Sequence, residues 1–449
     1  MFRRILIANR GEVVARVLRT CARLGVEAVT VCSEADRDAP YHRDATATVC
    51  LGPAPSSQSY LDRVGLIQAA RQTGCAAIHP GWGFLSEDPL FAEMCRQHGL
   101  AFVGPPAGAT RLMGRKLDAK AAARAAGLPV IPGSLGALRS LEEARAVAGE
   151  VGFPVILKAD AGGGGKGMRL CRDAAELAEG WSLARAEAAA AFGDDALYLE
   201  RYVEGGRHVE LQLLVDGWGN AVHLGERECS VQRKHQKLLE ESPSVALASD
   251  VREATGRAAA AAAARVGYVG AGTMEFLLGT DGVLRFMEMN ARLQVEHPVT
   301  EERTGLDLVE LQLRIAAGEP LPFRQEEVRL EGHAIEVRLN AEDPHQAFRP
   351  APGTITRLRW PEGVRVESHV REGYKVPPHY DSLLAKLIAR APDRASCIAR
   401  MVRALEELVL EGVPTTRPLL LAVLGSEPFR RGEYDIRSIP GWPPDGARS

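Results

Sequence analysis

The chain has 449 residues, too many for one core and enough for two to four packed domains. Apolar residues make up 46% and charged residues 25%, with a formal net charge of −3, which gives no electrostatic case for nucleic acid or a membrane surface. Every apolar stretch is interrupted short of a spanning helix, and the eight cysteines form no Cys-x-x-Cys pair, so a membrane anchor, a zinc site and a disulfide framework are not expected. An apolar strand begins almost at Met1 with no signal-peptide pattern, and a reducing cytoplasm is the expected location.

The first hundred residues alternate short apolar runs with helices that carry an apolar stripe. Strands are predicted over Arg4–Ala8, Val26–Cys32, Cys75–His79 and Leu100–Val103, and helices over Val13–Leu24, Leu61–Thr73 and Pro89–His98. This order predicts a doubly wound parallel sheet of the α/β class. Active residues in such a sheet lie beyond the C-terminal strand ends, where Asn9–Glu12 and His79–Gly83 fall.

A second section begins near Met113, with a helix over Lys116–Ala126. Next come a strand over Phe153–Ala159, a Gly-rich loop over Ala161–Gly167, a strand over Met168–Cys171 and a helix to about Phe192. Strands over Ala196–Val203, Arg207–Val215 and Ala221–Glu226, a helix over Asp250–Val266, a hairpin over Gly272–Asn290 and a helix over Thr300–Ala317 complete an α+β unit with an antiparallel sheet. A third section starts near Gly332 with a strand over Ala334–Asn340. It ends with a helix around Ala395–Leu408 and a Pro-rich tail.

The loop Ala161-Gly-Gly-Gly-Gly-Lys166-Gly167 matches Gly-x-Gly-x-x-Gly, but a strand follows it rather than the helix a dinucleotide fold needs. It is not a Walker A loop either, because Gly167 follows Lys166. Strand, glycines and strand predict a mobile flap whose bare N–H groups close over phosphates, with Lys158 at the preceding strand end in reach.

In the hairpin, a turn centred between Thr280 and Asp281 sets Glu275 opposite Phe286. Glu288 is then a diagonal neighbour about 7–8 Å from Glu275 at the backbone. Two carboxylates at that spacing suit Mg²⁺. Beyond the turn, Glu288, Asn290, Arg292, Gln294 and Glu296 alternate with apolar residues and share one face while the chain stays extended. Arg292 offers bidentate anion recognition. His208, Glu210 and Gln212 alternate on another strand, Gln232–Lys237 is a basic patch, and Glu336 and Arg338 share a face as a structural ion pair.

Together these segments resemble the biotin carboxylase family of the ATP-grasp superfamily. The match is carried by Ile5–Glu12, Ala35–Asp38, His79–Glu87, Gly162–Arg169, Gln232–Lys237, Glu288–His297 and His333–Asp343, in family order. The resemblance implies an N-terminal α/β domain over residues 1–112, an ATP-grasp domain over 113–330 with a mobile lid at about 130–204, and a C-terminal α+β domain over 331–449.

It also implies roles. Lys116 and Lys158 contact ATP phosphates, and Gly163, Gly164, Gly165, Lys166, Gly167 and Met168 belong to the lid loop and its exit. Glu200, Arg201 and Val203 line the adenine pocket with His208, Gln232, His235 and Ile436. Glu275, Glu288 and Asn290 bind Mg²⁺ or Mn²⁺. Lys237, Arg292, Gln294 and Val295 hold bicarbonate, Glu296 is the base, and Arg338 stabilises the biotin enolate. Bicarbonate and carrier-bound biotin are the substrates, and carboxyphosphate is the intermediate.

No Ala-Met-Lys-Met-like segment is present, so the carrier protein and the carboxyltransferase are expected on separate chains. The resemblance further implies a homodimer serving an acyl-CoA carboxylase, with acetyl-CoA and fatty acid synthesis as the expected setting. Trp82 stands where the family pattern has tyrosine and Arg201 where lysine is common, and the tail after Gly425 matches poorly. Two other readings are open. A different ATP-grasp ligase shares the glycines, Glu275 and Glu288 but has no use for Arg292, Gln294, Glu296 and Arg338. A degenerate nucleotide-binding module has lost an acid or a phosphate lysine, and none is missing here.

Overall fold

The structure is a computed structural model that describes residues 1–160 and 168–443. Its N-terminal part is a five-stranded parallel sheet in the order Ala47–Gly52, Glu27–Ser33, Arg4–Ile7, Ala77–His79 and Ala101–Phe102. Strand Ala47–Gly52 was not expected. It is an edge strand with exposed and half-buried residues, so it lacks the unbroken apolar run that reveals a central parallel strand. Beyond the strand ends, Asn9 Nδ2 donates to the carbonyls of Pro80 (2.6 Å) and Trp82 (2.8 Å), which ties the two predicted loops together.

The middle and C-terminal parts share one eight-stranded antiparallel sheet. Its order is Leu284–Asn290, Gly270–Leu278, Arg207–Val215, Ala221–Arg233, Gln236–Ser242, His333–Asn340, Leu383–Ala391 and Arg365–Ser368. The third section therefore extends the sheet of the second: Leu239 pairs with Val337 and Glu240 with Glu336. This continuity places Arg338 on the same sheet as Glu275 and Lys237. Separate apolar clusters support it, one under the Ala-rich helix Ser249–Arg265 and another under helices Arg394–Glu407 and Arg417–Gly425. A smaller antiparallel sheet, Arg169–Cys171, Val155–Ala159 and Leu197–Arg201, packs on helices Leu141–Val151 and Ala174–Phe192 through its own core.

Two local expectations are corrected, and the basic patch takes a definite form. Gln232–Lys237 is a hairpin joining two strands, with Lys234 and His235 both at positive φ (47° and 66°) in its turn. The expected helix over Thr300–Ala317 is two helices, His297–Thr304 and Leu308–Ala316. Gly305 ends the first in a left-handed conformation, and the Asp307 side chain caps the second. Glu336 and Arg338 are not an ion pair: Arg338 instead bonds Glu240 and Glu296.

Candidate active site

The hairpin that carries the two acids differs from its predicted register. Its turn places Phe276 opposite Phe286, and an irregularity between Glu275 and Phe276 then pairs Glu275 directly with Glu288. The two residues are opposite neighbours rather than diagonal ones, because Met287 is an extra residue in the second strand. Glu275 also pairs with Glu210 on the next strand, and Glu210 with Arg227 on the one after. Three acids and an arginine thus form one row across four strands.

A cavity of about 650 Å³ lies over this row. Every described residue to which the resemblance assigns a role lines it: Lys116, Lys158, Met168, Glu200, Arg201, Val203, His208, Gln232, His235, Lys237, Glu275, Glu288, Asn290, Arg292, Gln294, Val295, Glu296, Arg338 and Ile436; Glu210, Gln212 and Glu336 do not. Gly163, Gly164, Gly165, Lys166 and Gly167 lie outside the described residues. Its lining combines the apolar side chains of Ile131, Ile156, Leu277, Met287 and Ile436 with charged groups that include Arg292 and Glu296. Such a lining suits a ligand that is apolar in one part and anionic in another.

Lys158 Nζ is 2.6 Å from Glu200 Oε2, and the buried Lys120 bonds the other oxygen. Burial pushes the Glu200 carboxyl up, but the two ammonium groups outweigh it and hold the group below its ordinary value. Glu200 is therefore a fixed anion that aims Lys158 into the cavity. The backbone N–H of Ile436 donates to the Gly206 carbonyl (3.2 Å), which brings the tail against this wall. Arg201 is exposed, and its backbone N–H donates to Pro132 (2.8 Å).

Glu288, Glu275 and Asn290 line the cavity together, and Asn290 Oδ1 accepts from Arg292 Nη2 (3.0 Å). Lys116 Nζ lies 2.9 Å from Glu288 Oε2. Glu275 accepts from Lys237 (3.0 Å), Asn290 (2.9 Å) and Gln294 (3.0 Å), with His208 Nε2 3.0 Å from its other oxygen. Burial alone raises the Glu275 carboxyl, yet Lys237 and His208 hold it well below the usual carboxylate range. Two carboxylates and a carboxamide oxygen fit a small hard cation such as Mg²⁺.

Both oxygens of Glu296 are engaged. Lys237 Nζ lies 2.6 Å from Oε1 and Arg338 Nη2 lies 2.8 Å from Oε2. Against the upward push of burial, Lys237, Arg338 and Arg227 keep Glu296 well below its ordinary value. Glu240 meets the opposite fate. It bonds the same Arg338 guanidinium (2.7 Å), but burial pushes its carboxyl up to about 7, and repulsion from Glu296 adds to that. Two carboxylates on one guanidinium are driven apart, with Glu296 the ionised one. This is the pattern that separates a base from its neighbours. Arg292 Nε donates to Glu87 Oε2 (2.9 Å), and Glu87 Oε1 accepts from Ala291 N (2.8 Å), so a loop of the first sheet clamps the start of the segment that follows the hairpin.

Sequence reasoning missed Lys120, Arg227, Glu240, Lys386 and the clamp by Glu87. Lys386 is fully buried. Its ammonium donates to the Val295 carbonyl (2.6 Å) and lies 3.2 Å from Glu12 Oε1, which also accepts from Trp82 Nε1 (3.2 Å). Trp82, Tyr380, Asp381 and Leu383 line both this cavity and a second one of about 310 Å³ that reaches Asn9, Arg10 and Phe84. Glu87 lies within a motif already singled out. The buried charges carry no local signal, since pairing between distant strands supplies their partners.

Family models match along most of the chain: "Biotin carboxylase, N-terminal domain" over residues 1–110, "Carbamoyl-phosphate synthase L chain, ATP binding domain" over 115–324, and "Biotin carboxylase C-terminal domain" over 336–440. The chain is 52% identical over 439 residues to a chloroplastic biotin carboxylase of Arabidopsis thaliana, covering 97% of this chain and 82% of that one. It is 50% identical over 442 residues to biotin carboxylase 1 of Bacillus subtilis, covering 98% of each. A Campylobacter jejuni biotin carboxylase solved as a β-γ-ATP complex superposes with a TM-score of 0.95 at 46% identity, over 97% of this chain and 98% of that one. The biotin carboxylase domain dimer of a Hydrogenobacter thermophilus 2-oxoglutarate carboxylase, solved with MgADP, ADP and bicarbonate, gives 0.94 at 46% identity over 97% of each.

Proposed function

This chain belongs to the biotin carboxylase family and is an ATP-dependent ligase, and on that premise we propose how its residues share the work. Lys116, Lys158 and the glycine loop hold the ATP phosphates, with the adenine between Glu200, Val203, His208, Gln232, His235 and Ile436. Glu275, Glu288 and Asn290 hold Mg²⁺ or Mn²⁺, which supplies charge neutralisation on the phosphates. Lys237, Arg292, Gln294 and the Val295 backbone hold bicarbonate. Glu296 takes its proton as it becomes carboxyphosphate, and Arg338 meets the negative charge that develops on the ureido oxygen of biotin.

We further propose that the biotin sits on a separate carrier chain and that the carboxyl group passes to acetyl-CoA through a separate carboxyltransferase. In this reading the chain works as a cytoplasmic homodimer, with a malonyl-CoA product that feeds fatty acid synthesis. The observation that carries the proposal is the grip on Glu296. Lys237 and Arg338 bind its two oxygens at 2.6 and 2.8 Å, beside the acids that suit a divalent cation. A ligase that activates a larger carboxylate has no need of that cluster.

The test is phosphate release with each component omitted in turn. Release is expected to need Mg²⁺ and bicarbonate and to rise with free biotin. Release that ignores both, and responds instead to an amino acid, would refute the proposal.

A further inference from the structure

We propose that Arg227 is a positioning residue for the bicarbonate end of the cavity, acting through Gln294 and Glu210. The inference rests on the reading that Gln294 and Lys237 hold bicarbonate. Arg227 is fully buried, the largest such side chain among the described residues, and is not among those that line the cavity. A guanidinium has five N–H donors, and all five of Arg227 are used. Nε donates to Glu210 Oε1 (2.6 Å), and Nη1 donates to Gln212 Oε1 (2.8 Å) and Thr300 Oγ1 (2.9 Å). Nη2 donates to Thr273 Oγ1 (3.3 Å) and Gln294 Oε1 (3.2 Å). The acceptors come from two strands, from helix His297–Thr304 and from the segment between hairpin and helix.

Two consequences follow for the groups that do touch the cavity. The two ends of a carboxamide are nearly equal in shape, and only the hydrogen-bond network decides which way they point. Arg227 offers only donors, so it takes the oxygen end of Gln294. That leaves Nε2 donating to Glu275 Oε1 at 3.0 Å, in the cavity that Gln294 lines. A flipped amide would set N–H against N–H in a buried place. The second consequence concerns Glu210, whose other oxygen lies 2.6 Å from Lys237 Nζ. With one oxygen fixed by Arg227, the carboxylate becomes a rigid support for that ammonium. One buried guanidinium thus sets the direction of two donors on which bicarbonate would rest.

Arg227→Lys tests this. The lysine keeps the charge and meets Glu210, but its three donors from one nitrogen cannot span acceptors on four elements. The apparent KM for bicarbonate in phosphate release is expected to rise about tenfold, as for loss of a hydrogen bond to a charged group. The KM for ATP should stay within about twofold. In a Gln294→Ala background the same substitution should have a smaller effect on bicarbonate, because part of its route is gone. Equal rises in both KM values, or none in that for bicarbonate while Gln294→Ala raises it, would overturn the inference and leave the reading of the cavity standing. If Gln294→Ala and Lys237→Ala leave the bicarbonate KM unchanged, the reading fails and the inference with it. Should the lysine variant not fold, the paired Arg227→Met and Glu210→Met variant removes both charges together. An unaltered bicarbonate KM in that protein overturns the proposal equally.

Discussion

Arg338 holds Glu296 and Glu240 with a single guanidinium, at 2.8 and 2.7 Å, and the two carboxylates respond in opposite directions. The proposed base and the proposed enolate-stabilising group are therefore in direct contact before any substrate enters. Their roles separate only in time.

The separation is measurable when phosphate release and labelled carboxybiotin are followed in one reaction. Arg338→Ala should retain much of its bicarbonate-dependent ATP cleavage and lose carboxybiotin by about 10²–10³-fold, the usual effect of removing a group that meets transition-state charge. Glu296→Ala should lose both products. Because Arg338 helps to hold Glu296 ionised, the remaining ATP cleavage of Arg338→Ala should fall off at a higher pH than that of the parent enzyme. If Arg338→Ala loses ATP cleavage as fully as Glu296→Ala, Arg338 acts before carboxyphosphate forms.

Glu288 and Glu275 should separate activity from stability. Glu288 has one ammonium neighbour among the described residues, Lys116, and a side chain 36% exposed, so Glu288→Gln should raise the Mg²⁺ concentration needed for half-maximal rate and move Tm little. Glu275 is buried among Lys237, His208, Asn290 and Gln294, so Glu275→Gln should do the same to Mg²⁺ and also lower Tm. Metal titrations and thermal melts decide. An unchanged Mg²⁺ requirement in both variants would remove them from the metal site.

Glu240 makes stability depend on pH. Its carboxyl is raised from an ordinary 4.5 to about 7, chiefly by burial, with Glu296 adding to the rise and Arg338 and Lys237 opposing it. The folded protein thus binds this proton more tightly than the unfolded chain. The stabilisation is complete below about pH 4.5 and is lost as pH rises through 7, an effect of at most about 3 kcal/mol. Glu240→Gln has no proton to lose and keeps an acceptor for Arg338. Its Tm relative to the parent should therefore rise between pH 5 and pH 8. A constant difference over that range would show that Glu240 is ionised throughout.

Much of the site was legible because its residues sit in local patterns. The alternation from Glu288 to Glu296 survives as a shared cavity wall even though the strand ends at Asn290. The register of Glu275 with Glu288 was not legible, since an extra residue in a strand leaves no mark in polar–apolar alternation. Arg227 and Lys386 were hidden for another reason. A buried charge inside a strand looks like any solvated polar position until the partner strands are known. The tail was unreadable as fold, yet helices Arg417–Gly425 and Glu427–Arg431 pack under the shared sheet, and Ile436 reaches the cavity.

The continuous eight-stranded sheet limits how this protein can be taken apart. A cut near residue 330 falls in a loop, where domain borders are usually sought, but it separates Gln236–Ser242 from His333–Asn340. The first fragment would carry a bare strand edge in place of a solvent-adapted one, and edges of that kind recruit other chains. It would also leave Glu240 and Glu296 without Arg338, and the Val295 carbonyl and Glu12 without Lys386. Fragments made at that border should associate or precipitate rather than behave as modules, and in a multidomain enzyme this stretch has to be inherited as a single piece.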